Sequence, residues 1–364
     1  MNRGTESTEQ RKSRHIDICL EEDVASATAT GFAAIRLRHE ALPNFALADV
    51  DTTIEALGLR WAAPLVISSM TGGTERAGTI NRHLAVAAEA AGIPLALGSG
   101  RAALENAALL YTYDVRPSAP NVMLFANIGA VQFNYGVTVG TVKTMVETIG
   151  ARALYLHFNP LQEALQSGGD TDFRNLEPRI AELAASLAVP VVAKSVGSGI
   201  SVATARRLFA CGVAAIDVAG AGGTSWARVE GRRSENARYE RIAEHFASWG
   251  YPTAEATVAL RAAFPDRTII ASGGVRSGVD IAKAIALGAT ACGMAMPFLE
   301  PATRSADAVS EAIDDTIATL RIAMFASGAR TVPDLLDARY PPRGTGEIET
   351  RDPSTRTSNT STSA

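Results

Sequence analysis

The segment Ala153-Leu154-Tyr155-Leu156-His157-Phe158-Asn159-Pro160-Leu161-Gln162-Glu163 starts as an apolar, strand-like run and breaks abruptly into polar residues. A buried strand has no structural use for His157, Asn159, Gln162 and Glu163 crowded together, because buried polar groups are unfavourable unless each finds a partner. The cluster asks for a ligand where a strand ends.

Other short apolar runs stop in the same fashion, at Gly, Ser, Thr, Asn or Lys. In order, the eight runs are Pro64 to Ser69, Ile93 to Gly98, Val122 to Asn127, Ala153 to Asn159, Pro190 to Lys194, Ala214 to Ala219, Thr268 to Ser272 and Ala289 to Met294. Most are too short for helices. Between most of them lie Ala-rich segments with helical periodicity, such as Asn81 to Ala91, Leu176 to Leu187, Val202 to Ala210 and Val279 to Leu287. Strand followed by helix, repeated with both sheet faces covered, predicts an α/β fold, a parallel (β/α)8 TIM barrel rather than an open doubly wound sheet. Ligand groups then belong at the C-terminal mouth of the strands.

A chain of 364 residues accommodates one such barrel plus decorations. The expected division is an N-terminal arm and extension over residues 1–60 packing on the barrel, the barrel over 61–340, and a disordered tail over 341–364, rich in Ser, Thr, Gly and Pro without apolar periodicity. Lys and Arg number 34 against 38 Asp and Glu, mixed along the chain, which is not the basic footprint of a nucleic-acid binder. Cys19, Cys211 and Cys292 are scattered and lack metal-ligand spacing, as expected of reduced cytosolic cysteines. No apolar run approaches the roughly 20 residues of a membrane span, and the first ten residues are polar rather than signal-like. The expectation is a cytoplasmic protein with no nucleic-acid or membrane partner, in which Asn359-Thr360-Ser361 matches a glycosylation acceptor by chance.

The stretch Thr268-Ile-Ile-Ala-Ser272-Gly273-Gly274-Val275-Arg276-Ser277-Gly278 is a strand, a glycine turn and then a helix with Asp280 in its first turn. Two glycines let backbone N–H groups close on a phosphate, the helix presents its positive end, and Arg276 adds charge. A tight turn alone would need the same glycines. The neighbouring Cys292-Gly293-Met294-Ala295 shifts the reading toward phosphate, because the loops after strands seven and eight are the usual phosphate site of a barrel. Strand one ends in Ser69-Met70-Thr71-Gly72-Gly73, where a flat aromatic ligand could lie, and Asn127 and Lys194, at the ends of strands three and five, face the same mouth. The run Asp217-Val-Ala-Gly220-Ala-Gly222-Gly223-Thr224-Ser225-Trp226 superficially matches a dinucleotide loop, but its third glycine is out of register and it follows the sixth strand. Arg11-Lys12-Ser13-Arg14-His15 and Gly98-Ser99-Gly100-Arg101 together could grip a diphosphate, although a basic run standing alone is as often a solvated face. His39, His83 and His245 read as structural or surface residues.

In their sequence order these motifs resemble the type 2 isopentenyl-diphosphate isomerases, FMN-dependent barrel enzymes, over roughly Arg11 to Leu299. The most specific elements are Arg11-Lys12 with His15, Ser69 to Gly73, Ala126-Asn127-Ile128-Gly129-Ala130, His157 to Glu163, and Ala219 to Trp226. The resemblance implies that Ser69, Met70, Thr71, Ser99, Asn127, Lys194, Thr224, Gly273, Gly274, Arg276, Ala295 and Met296 surround FMN. It implies that Arg11, Lys12, His15, Ser99, Gly100 and Arg101 hold a prenyl diphosphate, with His157 and Asn159 completing the substrate pocket. Gln162 would be the catalytic residue beside the reacting carbons, and Glu163 would bind the Mg²⁺ that bridges to the diphosphate. It further implies FMN kept reduced by NADPH or another donor, and a homo-oligomer. The chemistry fits: shifting the double bond protonates one carbon and deprotonates another without net redox change, and ordinary side chains are poor acids for an unactivated alkene.

The chain departs from the family pattern where it has Gly100 in place of Gln and Ser195 in place of Glu after Lys194; Phe158 for Leu is minor. These changes keep open a divergent FMN-binding paralogue, acting on another prenyl diphosphate or non-catalytic. An FMN-dependent 2-hydroxy acid oxidase would share Lys194 and the Ser272 to Arg276 loop, but its chemistry needs a base after strand six, where this chain has Gly222-Gly223-Thr224-Ser225-Trp226 and no histidine.

Overall fold

The computed structural model describes residues 8–340, so the expected tail over 341–364 lies outside the described residues. An N-terminal helix α1 (Thr8–Glu21) precedes a short strand β1 (Arg36–Leu37) and a hairpin, β2 (Ile54–Ala56) and β3 (Leu59–Trp61). The barrel strands follow as β4 (Leu65–Ile67), β5 (Leu95–Ala96), β6 (Leu124–Gly129), β7 (Ala153–His157), β8 (Val191–Lys194), β9 (Ala215–Asp217), β10 (Thr268–Ser272) and β11 (Ala291–Met294). They close in that cyclic order, every neighbouring pair parallel. All eight expected strands are present. Asn127 lies inside β6 rather than at its end, because pairing with β7 carries that strand on to Gly129.

Between the strands run α2 (Glu75–Ala91), α3 (Arg101–Glu105), α4 (Val139–Ile149), α5 (Pro160–Leu165), α6 (Leu176–Ser186), α7 (Val202–Ala210), α8 (Trp226–Arg233), α9 (Ala237–Glu244), α10 (Thr253–Ala263) and α11 (Gly278–Ala286). After β11 come α12 (Met296–Arg304), α13 (Ala306–Ala326) and a final strand β12 (Arg339–Tyr340) antiparallel to β1. Side-chain caps set several starts: Thr74, Thr138, Ser201, Ser225 and Ser277 each accept from an amide in the first turn of α2, α4, α7, α8 and α11. The Thr74 cap is why α2 begins at Glu75 and not at Asn81, where the apolar periodicity starts.

Successive strand residues face opposite sides, and β7 shows the result. Leu154 and Leu156 join the apolar layer under the helices, whereas Ala153 and Tyr155 join an inner cluster with Val66, Phe125, Val192 and Ile270. That inner cluster fills the lower barrel, and the hairpin seals it from below: Trp61, fully buried, packs 6.0 Å from the Phe125 ring, which in turn lies 5.8 Å from Tyr155. Above these rings the inward positions turn polar.

Candidate active site

The polar layer opens into a cavity of about 270 Å³ at the C-terminal mouth. Its walls come from the ends of the strands, from the loops behind them and from α1, which lies against α8. Every residue that the resemblance assigns to FMN, substrate or metal lines it except Gly100. Gly100 is instead the residue before α3, its amide donates to the Asn127 carbonyl at 2.8 Å, and a β-carbon there would meet Met145 Sδ at 2.4 Å. A side chain at this position would point behind the mouth toward Met145 rather than into the cavity. Ser195 likewise lines an adjoining apolar cavity rather than this one, because it follows the inward-facing Lys194 and turns away.

On one side of the mouth a chain of polar groups crosses three strands. His157 Nδ1 lies 2.7 Å from Asn127 Oδ1, and Asn127 Nδ2 donates to Ser69 Oγ at 2.7 Å. The amide oxygen can only accept, so His157 carries its proton on Nδ1. Burial, then the charges of Lys194 and Lys12, bring the His157 pKa down to about 3, so the ring is neutral at working pH. Lys194 is buried and donates to the Ser195 carbonyl at 2.8 Å. The glycine turns after β9 and β10 meet backbone to backbone: Gly273 and Gly274 have φ of +98° and +83°, and a β-carbon on Gly273 would lie 2.1 Å from the Gly220 carbonyl oxygen. Packing therefore requires these glycines as well as any ligand. Ser68 Oγ and Thr71 Oγ1 are buried at the cavity wall with no hydrogen-bond partner among the described residues, which is what a planar, polar-edged group seated there would satisfy.

The opposite side is cationic. Lys12 Nζ donates to the Ser99 carbonyl and the Tyr113 hydroxyl, each at 2.8 Å, while Tyr113 donates to the same carbonyl at 2.6 Å. Burial, then the adjacent Arg11, lower the Lys12 pKa to about 7, and burial, then Arg101, hold Arg11 below its usual value. Cations so short of counter-charge suit a polyanion. Arg101 is positioned by Glu105 at 2.6 Å and Asp170 at 2.5 Å.

Between the two sides stands the short helix α5, started by Pro160. Glu163 accepts from Asn159 Nδ2 at 2.9 Å and from the Asp170 amide at 2.7 Å, and burial raises its pKa against those bonds. Gln162 Nε2 donates to Glu230 Oε1 at 2.9 Å, and its own Oε1 accepts from Asn159 at 3.2 Å. Glu230, on α8, is also 3.1 Å from His15 Nε2 and 2.8 Å from Arg233 Nε. Burial alone would raise the Glu230 pKa; contact with His15, the Arg233 charge and the Gln162 bond outweigh it and bring it to about 2.

Comparison with known proteins bears on what such a mouth serves. The sequence profile of the FMN-dependent dehydrogenases matches residues 139–340. Isopentenyl-diphosphate delta-isomerases of Stutzerimonas stutzeri and of a Synechococcus species are 50% identical over 336 residues and 49% over 320, covering 92% and 88% of this chain and 97% and 92% of the relatives. The chain belongs to the FMN-dependent isopentenyl-diphosphate delta-isomerase family. Among solved structures, (S)-mandelate dehydrogenase superposes with a TM-score of 0.65 at 16% identity, covering 91% of this chain and 98% of that one, and shows a shared fold.

Within this isomerase-family site, sequence reasoning missed Glu230, Asp170 and Asp217. Glu230 sits in Trp226-Ala-Arg-Val-Glu-Gly-Arg-Arg233, whose charges look like a solvated helix face until α1 covers it. Asp217 carried a usable signal, as a lone acid inside an apolar strand. Among the described residues no cluster of three or more His, Cys, Asp or Glu is placed to hold a metal ion by itself.

Proposed function

We propose that this chain interconverts isopentenyl and dimethylallyl diphosphate in the barrel mouth, with FMN against the Ser69, Asn127, Lys194 and Gly273-Gly274 side and the diphosphate against Arg11, Lys12, His15, Ser99 and Arg101. The single observation that supports this most is a cavity with undercompensated cations on one wall and unpartnered buried hydroxyls, Ser68 and Thr71, on the other. When bound and kept reduced by NADPH or another donor, FMN would supply the acid and base strong enough for the allylic proton shift.

The chain's own residues bind and orient. The cations hold the diphosphate, which fixes the short hydrocarbon that little else can grip. Glu163 offers one carboxylate to a Mg²⁺ otherwise held by phosphate oxygens and water, a sufficient share for that hard cation. Gln162, pinned at both ends of its amide, and neutral His157 border the reacting carbons without adding charge. Met70, Thr71, Thr224, Arg276, Ala295 and Met296 complete the flavin wall, and Asn159 the substrate wall. In the same proposal, residues 1–60 form the arm and extension, 61–340 the FMN-binding barrel, and the protein works as a cytoplasmic homo-oligomer.

The test is anaerobic incubation with FMN, NADPH, Mg²⁺ and isopentenyl diphosphate, following dimethylallyl diphosphate by mass-resolved chromatography, with Gln162→Ala and Glu163→Ala alongside. Product that requires reduced flavin and falls in both variants supports the reading. FMN bound tightly without turnover overturns it in favour of a divergent flavin paralogue.

A further inference from the structure

One buried charge has no part in the mechanism above. Asp217 closes β9 inside the barrel with no exposed surface. Its register partner across the sheet is Lys194 at the end of β8, and residues paired in this way face the same side, here the interior beneath the cavity. Ser272 on β10 and the Ala219 amide both donate to Asp217 Oδ1. Tyr155, on β7, interacts with the same carboxylate. Three neighbouring elements thus aim polar groups at one acid. Asp217 and Lys194 are not in ion-pair contact; they attract through a dry interior, where Coulomb forces reach further than in water.

We propose that Asp217 is a positioning residue for the flavin site: it keeps Lys194 charged, and through Lys194 it sets how much more tightly the cavity holds reduced than oxidised FMN. This rests on the flavin reading given above.

A lysine taken out of water tends to lose its proton, and only an opposing anion prevents that. The groups that face Lys194 are the neutral His157 of β7, Asn127 of β6 and Asp217 of β9. Asp217 is the one acid among them; burial raises its pKa, and Lys194, Ser272, Tyr155 and the Ala219 amide pull the other way, toward the charged form. A charged Lys194 at the cavity wall favours the electron-rich, reduced state of a flavin beside it. The competing role for Asp217 is to tie β9 to β10 through Ser272, which predicts a loss of stability and nothing else.

The two roles separate in the pH dependence of the FMN reduction potential, measured on holoprotein for the wild type, Asp217→Asn and Asp217→Glu from about pH 6 to about pH 10. In Asp217→Asn the preference for reduced over oxidised FMN should fall at least tenfold across that range as Lys194 gives up its proton, a step of about 30 mV for a two-electron couple. Burial already holds the wild-type Lys194 below its usual pKa against the pull of Asp217, so in the wild type this step should lie at higher pH than in Asp217→Asn, and Asp217→Glu should move it back toward the wild-type position. If Asp217→Asn does not fold, Ser272→Ala carries the test, because loss of the Ser272 bond weakens the same carboxylate charge; a smaller step of the same sign is expected. Potential curves parallel to the wild type in the folded variants, with FMN still bound, would overturn the proposal. A wild-type chain that binds no FMN would overturn the flavin reading itself, and flavin absorbance tells the two failures apart.

Discussion

At the scale of single residues, the site is governed by which charges are left uncompensated. Lys12, near pKa 7, is mostly neutral in the empty cavity at pH 8 and gains a proton when a diphosphate arrives. Calorimetry at pH 8 in buffers of different ionisation enthalpy should therefore show proton uptake on substrate binding, and Lys12→Arg should abolish it. His157, near pKa 3, is the opposite case. A pH–rate profile between about pH 5 and pH 9 should contain no limb that His157→Gln removes, while that variant should lower kcat/KM by roughly fivefold, the loss of about 1 kcal/mol from one bond. The residue types at Arg11, Lys12, Gln162 and Glu163 were readable in the sequence because their chemistry is unusual at strand ends. The direction of a side chain at position 100 was not readable, because it leads to Met145 and direction is a tertiary property.

Among the elements, α8 ties together parts that sequence separates widely. Glu230 receives Gln162 from α5, His15 from α1 and Arg233 from its own next turn. Its folded pKa of about 2 lies below the 4.5 of a free glutamate, so it stabilises the fold above pH 4.5 and loses the contribution as pH falls toward 2. Glu230→Gln should make the protein less sensitive to acid unfolding over that window, while Glu230→Ala, which removes the carboxylate shared by Gln162, His15 and Arg233, should destabilise by about 3–5 kcal/mol in urea titrations. Strands and helices were legible from periodicity, and Val202–Ala210 was located to the residue. The docking of α1 onto α8 was not, since a helix with one polar cluster gives no sign of what will cover it.

Across the whole molecule, the barrel divides into a packed lower half and a chemical upper half. Trp61 belongs to the first, and Trp61→Ala should cost about 3–5 kcal/mol of stability in denaturant unfolding while leaving the FMN affinity of the remaining folded protein little changed. The barrel itself could be read from eight apolar runs, whereas its floor could not, because Trp61 sits in a hairpin that resembles surface. The alternation along β7 has a further meaning for how such a protein can change over generations. Each strand carries two interleaved messages, alternate positions addressed to the barrel interior and the others to the helices, so substitutions can rewrite one without touching the other. A single inserted residue has no such freedom. It acts as a frameshift in three dimensions, sending Leu156 into the cavity and His157 into the packing, and lineages can therefore lengthen the loops of this barrel but not its strands.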